Sequence, residues 1–413
     1  MTSTAFRRTL SLVIATALGL ALALTGVAPA RATVYSEPQE VVGAPVVPEQ
    51  SVEFNGRLFL TGSSLNQAAD GRLYAFDGST FTPIDNTYYA VSDLVVVDDL
   101  LYFVARDADG WFVLVYDGTS VAQTGIESAY AGIDIVGYND SVMAGVPQSA
   151  TDTDFTLAYL VDGSVRTLSR FDFISDLVTF GDFVYFSGTI VGGSYVQMYR
   201  SDGVLVEDAR PAAGSNMFVW KNMLYMGLID QNWAFYRMHP DLTLEPAANP
   251  NIEYAFNFTD GGDTLYFTGV RGDVEYVYAY DGTTTVELPL GPRNVGDLRM
   301  FEGKLFATDL HFGVSVCSAN VSIQCAYDFS DLYYFDGSGW VFVTQAHTST
   351  GVLTTFNNRL YFQDVDKWMF VEQATLPNTG LNITPTVCAT VVLVLLGMAL
   401  MAMRRRNRTS TTG

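Results

Sequence analysis

The chain has 413 residues and a formal net charge of −22, with 44 acidic residues against 22 basic ones. This balance excludes a nucleic-acid-binding role, which requires a basic face, and it disfavours attraction to anionic lipid. The acidity favours solubility and permits weak binding of divalent cations.

Residues 1–32 have the order of a secretory signal peptide. Arg7 and Arg8 precede an apolar run from about Leu10 to Leu24, and small residues follow at the spacing of a cleavage site. Paired arginines also allow twin-arginine export, but their flanking residues favour the general secretion machinery. The predicted cleavage site has Ala30 and Ala32 as its small residues and would leave Thr33 as the first residue of the mature chain. Residues 28–30 form an alternative site.

One unit recurs through residues 33–375. Each copy begins with a polar turn that leads into an apolar strand, and successive copies start about 40 residues apart except before the last. The eight copies are NGRLFL (55–60), DDLLYFV (98–104), NDSVMAG (139–145), GDFVYFS (181–187), KNMLYMG (221–227), GDTLYFT (262–268), EGKLFAT (302–308) and NNRLYFQ (357–363).

A second phrase follows in the first seven units and usually ends in Asp-Gly, as in LYAFDG at 73–78. Asp-Gly between strand-like runs predicts a tight hairpin in which both residues take positive φ. Such acidic turns could bind calcium, but each offers one obvious carboxylate, so turn chemistry is the preferred interpretation. No cofactor is therefore predicted.

A period of about 40–45 residues with four short strands predicts an all-β fold, a β-propeller. The phrases resemble the DGT-type repeats of bacterial propeller proteins and, more loosely, kelch and WD-type blades. The count favours eight four-stranded blades, with seven as the alternative if a terminal unit packs aside. The eighth unit has strands near 351–357, 359–365 and 368–374 and lacks an outermost strand, which residues 39–43 are predicted to supply. Pro45 and Pro48 would fit beside that edge strand.

The seventh unit is longer than the others, with an insertion predicted at about 310–331 that contains Cys317 and Cys325. In an oxidising compartment a disulfide between them is the expected state, and a lone thiol pair lacks the other ligands that zinc requires. The insertion is either a binding loop or a loop held by the disulfide.

Catalytic chemistry is not predicted. The three histidines, His239, His311 and His347, lie in different units without ligand spacing, and no nucleophile, metal-protease or phosphate-loop motif occurs. Paired carboxylates of a carbohydrate-active hydrolase remain the alternative in so acidic a chain. Arg271-Gly272-Asp273 spells a tripeptide that integrins recognise, at a predicted hairpin tip, but ordinary turn composition is the preferred explanation.

The C-terminal region reads LPNTG at 376–380, followed by an apolar stretch from Val387 to Met403 that contains Cys388. The stretch is about long enough to cross a membrane as a helix, and the basic residues after it would hold the tail in the cytoplasm. The motif residues are Leu376, Pro377, Asn378, Thr379 and Gly380, and the basic cluster is Arg404, Arg405, Arg406 and Arg408.

This order resembles the cell-wall sorting signal of the LPXTG family of Gram-positive surface proteins. The resemblance implies that sortase cleaves between Thr379 and Gly380 and transfers the Thr379 carbonyl to an amine of peptidoglycan. It also implies an extracellular, wall-anchored protein whose precursor is transiently held in the membrane through 381–413. The remaining segment 33–379 keeps 15 basic and 44 acidic residues, a formal charge of −29.

Two functional hypotheses follow. In the first, a non-catalytic propeller on the wall binds a protein or glycan; in the second, it is a wall-attached hydrolase of carbohydrate. Carboxylates that face one another in the central channel would favour the hydrolase, whereas an aromatic or apolar patch on one face would favour binding.

Overall fold

In the computed structural model, the described residues of the segment Tyr35–Gln373 form 31 strands. The described residues are 35–374 apart from 65–70, 152, 194, 211–213, 229–234, 248–251, 273, 290, 313–326, 347–351 and 365–366. The signal-peptide, sorting-motif and basic-tail residues predicted above lie outside this range, as do Cys317 and Cys325. Within it, no helix has the length and apolar character needed to cross a membrane.

The strands follow the sequence repeat. After β1 (Gln39–Glu40), the first sheet contains β2 (Val46–Phe54), β3 (Arg57–Ser64), β4 (Tyr74–Phe76) and β5 (Phe81–Pro83). The second contains β6 (Tyr89–Val97), β7 (Leu100–Arg106), β8 (Trp111–Tyr116) and β9 (Val121–Ser128). A seven-stranded sheet follows with β10 (Asp134–Tyr138), β11 (Ser141–Pro147), β12 (Phe155–Val161), β13 (Ser164–Phe180), β14 (Phe183–Ile190), β15 (Gln197–Ser201) and β16 (Val206–Arg210).

The later sheets have four strands each. They are β17 (Gly214–Trp220), β18 (Met223–Leu228), β19 (Phe235–Met238) and β20 (Leu244–Pro246); then β21 (Tyr254–Asp260), β22 (Leu265–Arg271), β23 (Val274–Tyr280) and β24 (Thr285–Glu287). The next has β25 (Val295–Phe301), β26 (Lys304–Phe312), β27 (Tyr327–Phe335) and β28 (Trp340–Ala346). The last has β29 (Leu353–Phe356), β30 (Arg359–Asp364) and β31 (Lys367–Glu372), with β1 as its fourth strand.

The seven-stranded sheet is two units that share one long strand. The first part of β13 pairs with β12 and the last part pairs with β14, so β13 ends one unit and begins the next. The described chain therefore contains eight four-stranded antiparallel units, in agreement with the sequence repeat. We call the strands of each unit inner, second, third and outer in chain order; successive inner strands contact one another.

Hydrophobic clusters fill the interfaces between neighbouring units, because each sheet presents apolar side chains on both faces. One cluster joins the eighth unit to the first: Phe76 of β4 packs on Trp368 of β31 with ring centroids 5.3 Å apart. The hydroxyl oxygens of Ser51 and Thr354, on the inner strands of these two units, lie 2.8 Å apart. This succession of packed four-stranded sheets is the arrangement typical of a β-propeller.

The N-terminal segment completes the eighth unit, as the sequence predicted. Gln39 and Glu40 pair with Phe370 and Met369 of β31, and Tyr35 forms a bridge with Gln373. The prediction for Pro48 was wrong. It lies inside inner strand β2, where a bulge between positions 48 and 50 accommodates the missing N–H.

Two types of hairpin turn alternate within the units. The turn between inner and second strands is the tight one in every unit except the sixth, where it has four residues: Asn55 and Gly56 have φ of 50° and 69°, and Lys221 and Asn222 have 46° and 57°. Most Asp-Gly turns are different from the prediction, since only the glycine is left-handed and the loop has four residues. The exception is Asp162-Gly163, with φ of 49° and 70°.

The aspartate of the four-residue turns acts as a cap. Oδ1 of Asp281 accepts the backbone N–H groups of Thr283 and Thr284 at 2.8 and 2.7 Å. These bonds, with the Thr283 hydroxyl, lower the pKa of Asp281 to about 2. Backbone N–H groups supply the main donors, as those of Val204 and Leu205 do for Asp202, and the hydroxyl residues that recur after Asp-Gly add further ones.

The predicted insertion in the seventh unit is shorter than expected. Strand β26 continues to Phe312 and pairs with Tyr327, so positions 310–312 and 327–331 belong to the sheet. Only the segment 313–326 remains between these strands, and it lies outside the described residues together with both cysteines.

The disulfide therefore stays a prediction. We expect Cys317 and Cys325 to resist alkylation until a reductant is added, because the predicted export would place both thiols in an oxidising compartment. Peptide mass spectrometry of alkylated protein, with and without reduction, measures this. Free labelling of both thiols without reductant would contradict it.

Candidate functional site

Polar side chains recur at one position of the inner strands. In most units this position lies five residues before the first residue of the tight turn that follows, and in the sixth unit it lies at the equivalent bulge. We call this set the polar ring; its members are Gln50, Asp93, Asp134, Asp176, Asn216, Asn257 and Asp297. Register shifts place a bulge beside most of them, for example between Ser92 and Val95. Bulges re-aim side chains next to functional sites, and they explain why Asp93 and Asp176 have φ of 50° and 56°.

The ring concentrates carboxylates on the inner strands of units two to four. Loss of solvation, together with the negative charges of Asp93 and Asp176, raises the pKa of Asp134 to about 7. Burial also raises the pKa of Asp93. A carboxyl group that titrates near neutrality beside others can act as a proton donor.

Other members of the ring are bonded to the backbone or side chains of the neighbouring unit. Asp297 Oδ2 accepts the N–H of Leu353 at 2.9 Å, and the Asn257 amide donates to the carbonyl of Val295 at 3.2 Å. The Asn216 amide donates to the Tyr254 hydroxyl at 2.6 Å. These bonds join adjacent inner strands, so part of the ring has a structural role. Among the described residues no group of three His, Cys, Asp or Glu is placed to hold a metal ion.

A groove of about 610 Å³ crosses the boundary between the second and third units. It lies at the edge where the second-to-third turns and the connections between units are found; we call this edge the crossing face. The groove is lined by Asp109, Gln123, Glu127, Tyr130 and Gln148, among others.

Hydrogen bonds across the groove floor fix its walls. The Ser128 hydroxyl donates to the Pro147 carbonyl at 2.6 Å and accepts the Tyr130 N–H at 2.9 Å. On the other wall, Asp107 Oδ1 accepts the N–H of Asp109 at 2.7 Å. The turn approaches so closely that a Cβ on Gly110 would lie 2.8 Å from the Ser128 carbonyl oxygen. The groove is therefore preformed.

The crossing face of the fourth unit carries an exposed apolar turn. Ile190, Val191 and Tyr195 are 50, 61 and 81% exposed. Single exposed apolar residues are common, but several in one turn are typical of contact surfaces. The groove and this turn lie on the same face because each belongs to a second-to-third turn or a unit connection.

The structure brings together few of the residues that the sequence singled out. His239 lies beside Glu245 at the outer hairpin of the fifth unit, and His311 lies 3.1 Å from Asp331 in the seventh. His347 is outside the described residues. Arg271 is at a hairpin tip as predicted, but its guanidinium binds Glu287 at 2.8 Å and stacks on Tyr276. An integrin-like contact would have to break this pair.

Sequence reasoning missed both the ring and the groove. The ring did have a signal, since Asp or Asn recurs at a constant distance before the tight turns, in phrases such as SDL at 92–94 and 175–177. The groove had no such signal, because its walls come from two units and neither repeated phrase of the sequence predicts how these units pack.

Comparisons with known proteins give a fold and no family. No protein-family model and no curated protein matches the chain. A structure from a study of two prolyl endopeptidases matches with a TM-score of 0.51 and 12% identity, over 80% of this chain and 55% of that one. This chain thus spans about half of that protein, and the similarity concerns the fold alone.

Two further structures are similar over most of their own length. BamB from Moraxella catarrhalis has a TM-score of 0.49 and 14% identity, over 83% of this chain and 98% of that one. The β-propeller domain of the trilobed protease from Pyrococcus furiosus has a TM-score of 0.44 and 10% identity, over 74% of this chain and 97% of that one.

Proposed function

We propose that the chain is a secreted surface protein that sortase anchors to peptidoglycan and that displays a closed, eight-bladed β-propeller for protein or glycan binding. In this proposal the chain crosses the membrane only as a precursor, through the apolar stretch after LPNTG. The extracellular part performs no catalysis and recognises its partner through one face of the ring.

The anchoring part depends on the order of segments in the sequence. LPNTG stands directly before the apolar stretch and the arginine cluster, and a signal peptide at the other end supplies the export that sortase requires. Strand β31 ends at Glu372, four residues before Leu376. Such a short spacer reaches only about 10–15 Å, so the propeller would sit close to its attachment point.

Replacement of Thr379 by Ala is expected to move the protein from the wall fraction to the membrane and the medium. The reason is that Thr379 supplies the carbonyl that would be joined to peptidoglycan. Asn378→Ala is the matched control, since the third position of LPXTG is variable, and it should leave the protein in the wall. Immunoblots of wall, membrane and medium fractions measure this; covalent wall attachment of the Thr379 variant would overturn the anchoring.

The closed ring is supported by the contacts of the first and eighth units. Their shared hydrophobic cluster, the Ser51–Thr354 contact and the pairing of β1 with β31 leave neither terminal unit with an uncovered face. An uncovered sheet face or edge would be a site for aggregation.

The observation that carries the binding role is the preformed groove on the crossing face. Binding sites are commonly concave, largely preformed and equipped with a few polar groups around an aromatic surface. The apolar turn of the fourth unit extends the same face. A screen of purified full chain against immobilised glycans and extracellular proteins tests the role; absence of any saturable binding would contradict it.

One observation favours the hydrolase alternative. Asp134 stands between Asp93 and Asp176, and its pKa of about 7 is that of a general acid. In that case the purified chain would release new reducing ends from an oligosaccharide and Asp134→Asn would abolish the release. If no new reducing ends are released from a panel of polysaccharides, the hydrolase alternative is contradicted and the binding role is retained.

A further inference from the structure

We propose that the groove between the second and third units binds an oligosaccharide that is uncharged or carries amino groups. This inference rests on the proposed function, because it chooses glycan over protein as the partner and assigns its site. The argument uses the shape of the groove, the chemistry of its lining and its charge.

The shape suits a chain of sugars. The groove has about 610 Å³, within the ordinary range of about 300–1,000 Å³ for ligand sites, and it runs across the boundary of two units. Because Ser128 and Asp107 hold both walls through hydrogen bonds to backbone groups, little ordering is required on binding.

The lining offers acceptors and an aromatic face. The amides of Gln123 and Gln148 donate to the Tyr88 hydroxyl and to the Val146 carbonyl at 3.2 and 3.3 Å, which fixes both side chains. Their carbonyl oxygens and the exposed carboxylates of Asp109 and Glu127 can accept bonds from sugar hydroxyls. These acceptors line the groove together with Tyr130.

Tyr130 is 37% exposed at the groove, and its ring can pack against the C–H face of a pyranose. Amphipathic packing of this type needs a ligand with one apolar face and a hydroxyl-rich rim. An extended polypeptide alternates its side chains between two faces but presents an apolar face and a hydroxyl-rich rim only where its own sequence supplies both, and a lysine or arginine side chain would need only the carboxylates.

The charge of the groove excludes acidic sugars. Asp107, Asp109 and Glu127 line it, and none of the described lining residues is basic. The nearby Arg106 guanidinium lies over the Tyr89 ring, 4.8 Å from its centroid. Within the described part of the chain, Asp109 and Glu127 have no ion-pair partner, so a ligand carrying ammonium groups would be favoured and a carboxylate or phosphate would be repelled.

The experiment is calorimetric titration of the full chain, purified in a detergent without a sugar headgroup, with four probes of similar length. These are an N-acetylglucosamine oligomer, its deacetylated form, a uronic acid oligomer and a lysine-rich peptide. Binding is expected for the first two, with the deacetylated oligomer several-fold tighter, and none for the uronic acid oligomer.

Variants locate the site. Tyr130→Ala should weaken binding at least about ten-fold, and Glu127→Gln should remove most of the preference for the deacetylated oligomer. Phe342→Ala is the control, because Phe342 is an aromatic residue 54% exposed on β28 of the seventh unit, outside the groove, and its replacement should leave binding unchanged.

Two outcomes overturn the inference, and a third overturns the proposed function instead. Oligosaccharide binding that survives Tyr130→Ala would reject the groove and keep the proposed function. Binding of only the lysine-rich peptide would assign a protein partner. New reducing ends during titration would reject a non-catalytic role while keeping the groove as a site.

Discussion

Deletion of residues 35–43 is expected to lower the melting temperature of the protein by roughly 10 °C. The deletion removes β1, the backbone bonds of Ser36 and Val41 to Glu372 and Trp368, and the Tyr35 ring. Tyr35 packs edge-on against Phe306 and Tyr334 with centroids 5.0 and 5.1 Å apart. Burial of an aromatic and a valine side chain contributes about 1.5–3 kcal/mol each, and a large domain shifts by about 2–4 °C per kcal/mol.

Unfolding of the deletion variant should stay cooperative. The reason is that β31, whose edge the deletion uncovers, contributes side chains to the hydrophobic cluster that joins the eighth unit to the first. Val42→Ser is the matched control: Val42 is 81% exposed beside the buried Val41, so its replacement should leave the melting temperature unchanged. Scanning calorimetry of the two variants and the parent measures the effect. Equal melting temperatures for the parent and the deletion would show that β1 does not close the ring in solution.

Asp134→Asn is expected to make the protein more stable at pH 8 and to leave it unchanged at pH 4. The folded pKa of Asp134 is about 7 against an ordinary 3.8, so the folded state holds this proton more tightly than the unfolded chain. The stabilisation is complete below pH 4 and is lost as pH rises from 4 to 7. The variant keeps an oxygen that accepts backbone N–H groups but carries no charge.

We expect a difference of about 1–3 kcal/mol in the free energy of unfolding at pH 8, less than the full shift implies because neighbouring groups readjust. Urea unfolding across pH 4–8 measures it. Asp140→Asn removes an exposed carboxylate of the same unit and should follow the parent at every pH. Parallel curves for the parent and the Asp134 variant would mean that Asp134 stays ionised in the folded protein.

The repeat, the tight turns and the closing strand could be read from the sequence because each depends on neighbouring residues. Asn55-Gly56 favours a tight turn with positive φ. A unit that lacks its outer strand leaves a strand edge unpaired, so another segment of the chain is expected to pair with it. The Asp-Gly turns show how far this reasoning goes. At Asp281 and at Asp202 the carboxylate caps a four-residue loop, whereas Asp162-Gly163 leads straight into β13 and forms the two-residue turn although Ser164 follows it.

The candidate sites were less accessible because they arise between units. Asp134 has an unusual environment because it is buried and because Asp93 and Asp176 stand on the strands beside it, which depends on two bulges and on the packing of three units. The groove depends in the same way on Gly110 lying against the Ser128 carbonyl. The Asp and Asn positions were visible in the sequence, but their convergence was not.

The pairing of Tyr35 with Gln373 has a mechanical consequence. The carboxyl end leaves the fold along β31, which is held by β30 on one side and by β1 on the other. A pull along this strand would load the hydrogen bonds on both sides in parallel, as in shear, instead of opening them one after another as in unzipping. A protein tethered by that end would resist traction through its last strand, and the first residues of the fold would carry part of the load.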